Sequence, residues 1–229
     1  MTQVSSDKGD PTWLILVRHG QTAWNKEKRI QGQLEVDLCE EGRRQADLAA
    51  QRLSGVGATV LYSSDLKRAL ASAEPIARTV GLTIQLAPQL RERHFGQWQG
   101  LTWEEIYQRH PELRHVQRGD PHREAPGRES REQVQARVVA FAEKVAHDHP
   151  GQIVIAVSHG GPIAQLLRWI LGMPLATPAH LSSYNGSLTV VRWKDNRWSL
   201  VCFNDHCHVA QKALREATGN TDFAEENRR

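Results

Sequence analysis

Trp13-Leu14-Ile15-Leu16-Val17-Arg18-His19-Gly20-Gln21-Thr22-Ala23-Trp24-Asn25 is the stretch on which the fold turns. Its first five residues are apolar without interruption, which suits a strand buried on both faces of a parallel sheet. The run stops at Arg18-His19-Gly20, where a turn sets an imidazole beside a guanidinium. Two more apolar runs, 59–62 and 153–157, also end in polar residues: Ser63-Ser64 ahead of Arg68, and Ser158-His159.

Helical periodicity fills the intervals. Ala46, Ala49, Ala50 and Leu53 fall at i, i+3, i+4 and i+7, and Gly55 and Gly57 stop that helix. Leu66, Ala69, Leu70, Ala73, Ala77 and Val80 form a second stripe, with Pro75 predicted to kink it. Val134, Val138, Phe141 and Val145 form a third, entered through a capping box of Ser130 and Gln133. Ile163, Leu166, Leu167, Ile170 and Leu171 form a fourth, with Pro162 in its first turn. Residues 187–193 and 197–203 read as an antiparallel pair of strands joined by Lys194-Asp195-Asn196. Strands alternating with helices predict an α/β three-layer sandwich, a mostly parallel central sheet flanked by helices.

The predicted organisation is one catalytic domain over residues 13–217, between a flexible segment at 1–12 and a frayed tail at 218–229. Within it, residues 109–131 carry six arginines, four acidic residues and few large apolar groups. They read as a small, mobile cap or lid excursion over the sheet rather than core.

In open α/β sheets, sites form in the crevice at the carboxyl ends of strands. The three apolar strands would bring Arg18-His19, the Ser63-Ser64 segment leading to Arg68, and His159 to one place. That set suits phosphorus. Phosphate monoesters resist attack because their oxygens repel a nucleophile, so catalysis is mostly positioning and charge stabilisation. Two guanidinium forks grip phosphoryl oxygens, and a protonated His159 would add a third positive donor. Thr22, Asn25 and the Gly160 amide would complete the ring. A neutral His19 needs an acceptor on its second nitrogen, and the sequence does not identify one.

Five ordered blocks, covering roughly residues 13–208, resemble the histidine phosphatase superfamily, also called the phosphoglycerate mutase-like family. They are Arg18-His19-Gly20; Arg29-Ile30-Gln31-Gly32 with Gly42-Arg43-Arg44-Gln45-Ala46; Tyr62-Ser63-Ser64 through Arg68-Ala69; Leu90-Arg91-Glu92 with Gly96, Trp98 and Gly100; and Ser158-His159-Gly160-Gly161. The resemblance implies that His19 is a transiently phosphorylated nucleophile, that Arg68 is the second phosphate clamp, and that Gln31 and Gly32 lie in a block closing over the substrate. It also implies that Glu92 is the proton donor and His159 the second catalytic histidine. Glu104 and Glu105 compete with Glu92 for the acid's role; Trp98 and Trp103 read as packing residues.

Composition narrows the remaining classes. A net charge of +3, from 29 basic and 26 acidic residues, does not point to nucleic acid. No apolar run approaches the roughly 18 residues of a membrane span, and the first dozen residues lack the apolar core of a secretory signal. A cytoplasmic location is the default expectation, and three cysteines without a disulfide framework agree with it. Cys202, His206, Cys207 and His208 match no common zinc spacing. No metal or cofactor is expected, because arginines take the metal's place; the expected partner is a small phosphorylated metabolite, with homo-oligomerisation left open. The leading function is thus a metal-independent phosphatase. Its rivals are a cofactor-dependent phosphoglycerate mutase and a catalytically silent regulator that binds phosphorylated partners. Mutases of the family typically carry adjacent arginines in an insert after the Glu block; here such pairs occur only at Arg43-Arg44 and Arg228-Arg229.

Overall fold

Side chains alternate across a strand, so an uninterrupted apolar run must be covered on both faces. In the computed structural model, which describes residues 9–115, 125–176 and 181–210, that is what happens. In chain order the elements are β1 (Thr12–Arg18), α1 (Ala23–Lys26), α2 (Glu40–Arg52), β2 (Val60–Ser63), α3 (Lys67–Val80) and β3 (Ile84–Leu86). There follow α4 (Trp103–Arg109), α5 (Arg131–Asp148), β4 (Ile153–Ser158), α6 (Gly160–Ile170), β5 (Leu188–Lys194) and β6 (Arg197–Asp205). The sheet order is β3-β2-β4-β1-β5-β6. The first four strands run parallel, and β5 and β6 join antiparallel to β1 and to each other.

Leu14 and Leu16 pack with Val154, Ala156 and Val191 under α5 and α6. Ile15 and Val17, one residue out of phase, pack with Leu61, Ile155 and Val157 under α2 and α3. Two apolar clusters on opposite faces make the predicted three layers. Each fully buried Leu, Ile or Val contributes about 1.5–3 kcal/mol relative to exposure.

Several local expectations hold, and some shift. Ser130 and Gln133 form the predicted capping box on α5. Strand β1 begins at Thr12, inside the segment read as flexible, and Thr12 is buried with its hydroxyl donating to the His149 carbonyl. Pro75 lies within a continuous α3. Strand β3 has no counterpart in the sequence reading: three residues with Gln85 and Leu86 exposed carry no periodic signal.

The stretch 109–131 is only partly excursion. Arg109 ends α4, residues 111–115 form a 3-10 turn, and Arg131 opens α5. Leu113 and Ala125 are buried with Trp98 and Ile106 in a third apolar cluster, against which Trp103 packs. This stretch thus gives Leu113 and Ala125 to a core whose other buried members, Ile106 of α4 and Trp98, lie outside it. Residues 1–8, 116–124 and the predicted tail at 218–229 lie outside the described residues. Among the described residues no helix is long and apolar enough to cross a membrane.

Candidate active site

The parallel register determines which polar groups meet. Arg18 is level with Ser158, and Ser63 with Val157. The next residue of each strand is therefore held by the same ladder: His19 N donates to the Ser158 carbonyl (3.0 Å) and Ser64 N to the Val157 carbonyl (2.9 Å). His19, Ser64 and His159 thus emerge side by side, with imidazole centroids of His19 and His159 5.0 Å apart.

His19 is buried, and its Nδ1 lies 2.7 Å from the carbonyl oxygen of Gly20. A carbonyl only accepts, so Nδ1 carries the proton and Nε2 keeps its lone pair. This is the acceptor the sequence could not identify. Burial is the main cause holding the His19 pKa well below its usual value, reinforced by the cations Arg68 and Arg18. The turn exists because Gly20 packs against Gly42 of α2. A Cβ on either glycine would collide with backbone. Gly20 N also donates to Ser72 Oγ (2.9 Å), and Asn185 Nδ2 to the His19 carbonyl (3.0 Å).

Both predicted arginines are anchored through their outer nitrogens. Arg68 is 1% exposed; it donates to the carbonyls of Leu34 (2.9 Å) and Gly32 (2.6 Å). Arg18 Nη1 donates to the Ser183 carbonyl. The Nε of each arginine is buried without a protein partner among the described residues. Burial lowers the Arg68 pKa to about 10, opposed by Glu92 and Glu35, so the group stays cationic at neutral pH.

His159 is the second imidazole of the pair. It is fully buried, and its pKa is pushed well below the usual value, first by burial and then by Arg68, His19, Arg18 and Arg137. The free site therefore holds a neutral ring, so the third positive donor that a protonated His159 would supply is disfavoured there. Its Nε2 lies 2.9 Å from Ser64 Oγ, while Nδ1 has no partner among the described residues.

Glu92 Oε2 accepts from the Gly161 amide (3.2 Å) and Oε1 from Arg93 N (2.7 Å), tying the carboxylate to the first turn of α6. Its two rivals are engaged elsewhere. Glu105 closes a capping box with Thr102 and pairs with Arg29 (2.8 Å), and Glu104 pairs with Arg114 (2.8 Å). Thr22 and Asn25 cap α1 reciprocally, and Asn185 Nδ2 reaches Asn25 Oδ1 at 3.4 Å. Gln31 is buried with Oε1 unpartnered among the described residues; the observed contact of Gly32 is its carbonyl, which seats Arg68. The Gly160 amide opens α6, where helix N-termini favour anions.

Ser72, Ser183 and Asn185 were not singled out from the sequence. They act on the site through contacts with the backbone, for which a serine within a helix or a serine or asparagine in a loop gives no signal.

The family model for the histidine phosphatase superfamily (branch 1) matches residues 14–206. A metal-independent phosphoserine phosphatase of Arabidopsis thaliana is 38% identical over 89% of this chain and 85% of its own length. A protein of Cronobacter sakazakii named as a probable phosphoglycerate mutase is 35% identical, over 89% of this chain and 97% of its own. A solved mycobacterial glucosyl-3-phosphoglycerate phosphatase, in complex with VO3, superposes with a TM-score of 0.76 at 39% identity, covering 84% of this chain and 98% of that one. With strand ends converging on paired histidines and arginines, and with a match running from β1 through β6, this chain belongs to the histidine phosphatase superfamily, branch 1.

Proposed function

We infer that the chain is a metal-independent phosphatase, a phosphoric monoester hydrolase working through a phosphohistidine on His19. One observation carries the residue assignment: a buried, neutral imidazole whose Nδ1–H is tied to the Gly20 carbonyl, leaving Nε2 to attack between two guanidiniums.

Arg18, Arg68, the Gly160 amide and His159 hold the phosphoryl oxygens, with Thr22, Asn25, Gln31 and the Gly32 segment bordering the substrate. Nε2 of His19 forms the N–P bond as the ester O–P bond breaks, and protonated Glu92 gives its proton to the departing alkoxide. The resulting carboxylate then takes a proton from water, which attacks phosphorus. His19 leaves neutral and inorganic phosphate departs. Each preorganised donor in such a ring is worth about 100- to 1,000-fold in rate.

The substrate class follows from what borders Glu92. Arg93, whose charge is felt at Glu92, donates from Nε to the Glu129 carbonyl (2.7 Å), and Arg128 Nη1 approaches the same oxygen at 3.4 Å, with Glu129 and Glu132 also nearby. Phosphoserine and glucosyl-3-phosphoglycerate, the substrates for which relatives are named, both carry a carboxylate on the alcohol portion. A small ester whose alcohol portion carries a carboxylate suits a guanidinium, Arg93, close to the proposed acid.

Rapid-quench mass spectrometry during turnover should find a phosphoryl group on His19, absent in His19→Ala together with activity. Glu92→Gln should slow alkyl esters by about 100- to 10,000-fold and activated aryl phosphates far less. Equal losses would remove Glu92 from the acid's role. In a panel scored by phosphate release, phosphoserine and 3-phosphoglycerate should outrun phosphoethanolamine and glycerol 3-phosphate. Rapid formation of 2-phosphoglycerate from 3-phosphoglycerate plus 2,3-bisphosphoglycerate, with negligible phosphate release, would overturn the reading in favour of a mutase. Tight binding of a phosphorylated protein without hydrolysis of any ester would favour a regulator.

A further inference from the structure

His159 combines two features that conflict if it is to act as a cation. It is wholly buried among Arg18 from β1, Arg68 from α3 and Arg137 from α5, beside His19, with Glu92 held at the neighbouring Gly161 amide. Three guanidiniums oppose a fourth positive charge there. Yet a phosphoryl oxygen needs a donor, and the ring nitrogen without a protein partner is Nδ1. A neutral imidazole has one N–H only, so the question is which nitrogen carries it.

Ser64 resolves this. Its backbone is pinned by the β2–β4 ladder, and its hydroxyl is fully buried at 2.9 Å from His159 Nε2. The same oxygen accepts from Leu66 N at 3.4 Å. That N–H occupies a lone pair of the hydroxyl and leaves its proton to be given, and His159 Nε2 is the acceptor in reach. If Nε2 accepts, the single ring proton sits on Nδ1.

We propose that Ser64 is a positioning residue: by donating to Nε2 it fixes the Nδ1–H tautomer of His159, so that the ring gives a hydrogen bond to the phosphoryl group while remaining neutral. A hydroxyl suits the task because it rotates between donating and accepting; an alanine offers neither. The proposal rests on the phosphatase reading for the phosphoryl group but not for the tautomer, which is measured separately.

The first test is nitrogen-15 NMR of the histidine-labelled protein at pH 7.5 with saturating inorganic phosphate. The expected pattern for His159 is a protonated Nδ1 and an unprotonated Nε2. Two protonated nitrogens, or the opposite tautomer, would overturn the proposal. The second is the pH profile of kcat/KM for Ser64→Ala and Ser64→Thr. Without the hydroxyl, the ring would offer Nδ1–H reliably only once protonated. The alanine variant should then lose about 10- to 100-fold near pH 8, the worth of one hydrogen bond to a charged group, and recover toward acid pH. Threonine should restore the wild-type profile. A loss equal at every pH, or none, would refute the role. Should the alanine variant fail to fold, the nitrogen shifts of the wild type and the threonine variant still decide. Failure to find phosphorylated His19 would remove the mechanism above while leaving the tautomer result standing.

Discussion

At the carboxyl ends of β1, β2 and β4 stand the side chains proposed to handle phosphate, at the ladder's end or, for Arg68, in the first turn of α3. His19 and Arg68 are buried and Arg18 is half-buried, and all three are fastened to backbone carbonyls: His19 to Gly20, Arg68 to Gly32 and Leu34, Arg18 to Ser183. The shoulder beside them, from Gly96 through Leu113 and again at 125–130, is built otherwise. Its core is four buried residues, Trp98, Ile106, Leu113 and Ala125. Its surface is fastened by ion pairs such as Arg29–Glu105 and Arg114–Glu104. The cage is tied to the sheet at His19 N and Ser64 N, which donate to carbonyls of β4. By contrast, the shoulder depends on a small cluster and on charges in water, which are worth little each. The chemistry proposed above sits on the first; we propose that discrimination among alcohols falls to the second.

Breaking the cage should cost most. Arg68→Lys keeps the charge but loses the fork that spans Gly32 and Leu34, and a lysine meets phosphate only as a point charge. A loss of about 100- to 1,000-fold in kcat/KM is expected on alkyl and aryl esters alike. A loss confined to alkyl esters would show that Arg68 serves the leaving group instead. Gly161→Ala attacks the joint between cage and acid. An added Cβ would overlap Glu92 Oε1, the far end of a flexible side chain, so the carboxylate moves and the fold survives. Alkyl esters should slow by about 100-fold and activated phenyl phosphates much less, imitating Glu92→Gln. Parallel losses on both would break the assignment of the acid.

The same contrast explains what the sequence made legible. Cage residues follow apolar strands, and the strands are visible because their burial on both faces forces unbroken apolar runs. Arg18, His19 and His159 could be located from that alone, and the segment leading to Arg68 with them, while the clamp role of Arg68 and the place of Glu92 needed the resemblance of whole blocks. Side-chain-to-backbone fastenings were not legible: any loop residue supplies a carbonyl, so Gly20 as the His19 acceptor and Ser183 as the Arg18 anchor leave no trace. Nor was the neutral state of His159, because it depends on three guanidiniums from separate elements. The shoulder was half seen. Trp98 and Trp103 read as packing residues, but their cluster draws Leu113 and Ala125 from a stretch whose composition is dominated by charge.

Loosening the shoulder should spare the cage. Ile106 is fully buried at its centre, and Ile106→Ala should cost about 2–5 kcal/mol of local stability. Hydrogen exchange of amides in 98–113 should accelerate while those of β1 and β4 stay protected. Aryl phosphate turnover should change little and the preference for carboxylated esters should flatten. Equal acceleration in β1 and β4 would mean that the two regions open as one unit.

The smallest effect is a slope. His19 and His159 are neutral and buried in the folded chain, with pKa values held well below the ordinary histidine value of about 6.5 that the unfolded chain restores. The unfolded state therefore binds protons that the folded state refuses. Well above pH 6.5 both states are neutral and stability is at its full value; as pH falls from there toward the folded values, proton uptake by the unfolded state drains it away. Each histidine should contribute up to about 1.4 kcal/mol per pH unit within that window. Urea unfolding of the wild type between pH 6.5 and 5.5 should show the steeper decline, and His19→Asn a shallower one. The shoulder variant Ile106→Ala should keep the wild-type slope, since it leaves both imidazoles in place. If His19→Asn kept the full slope instead, His19 would be titrating normally in the folded protein. The neutral, lone-pair-bearing ring on which the cage reading depends would then be lost.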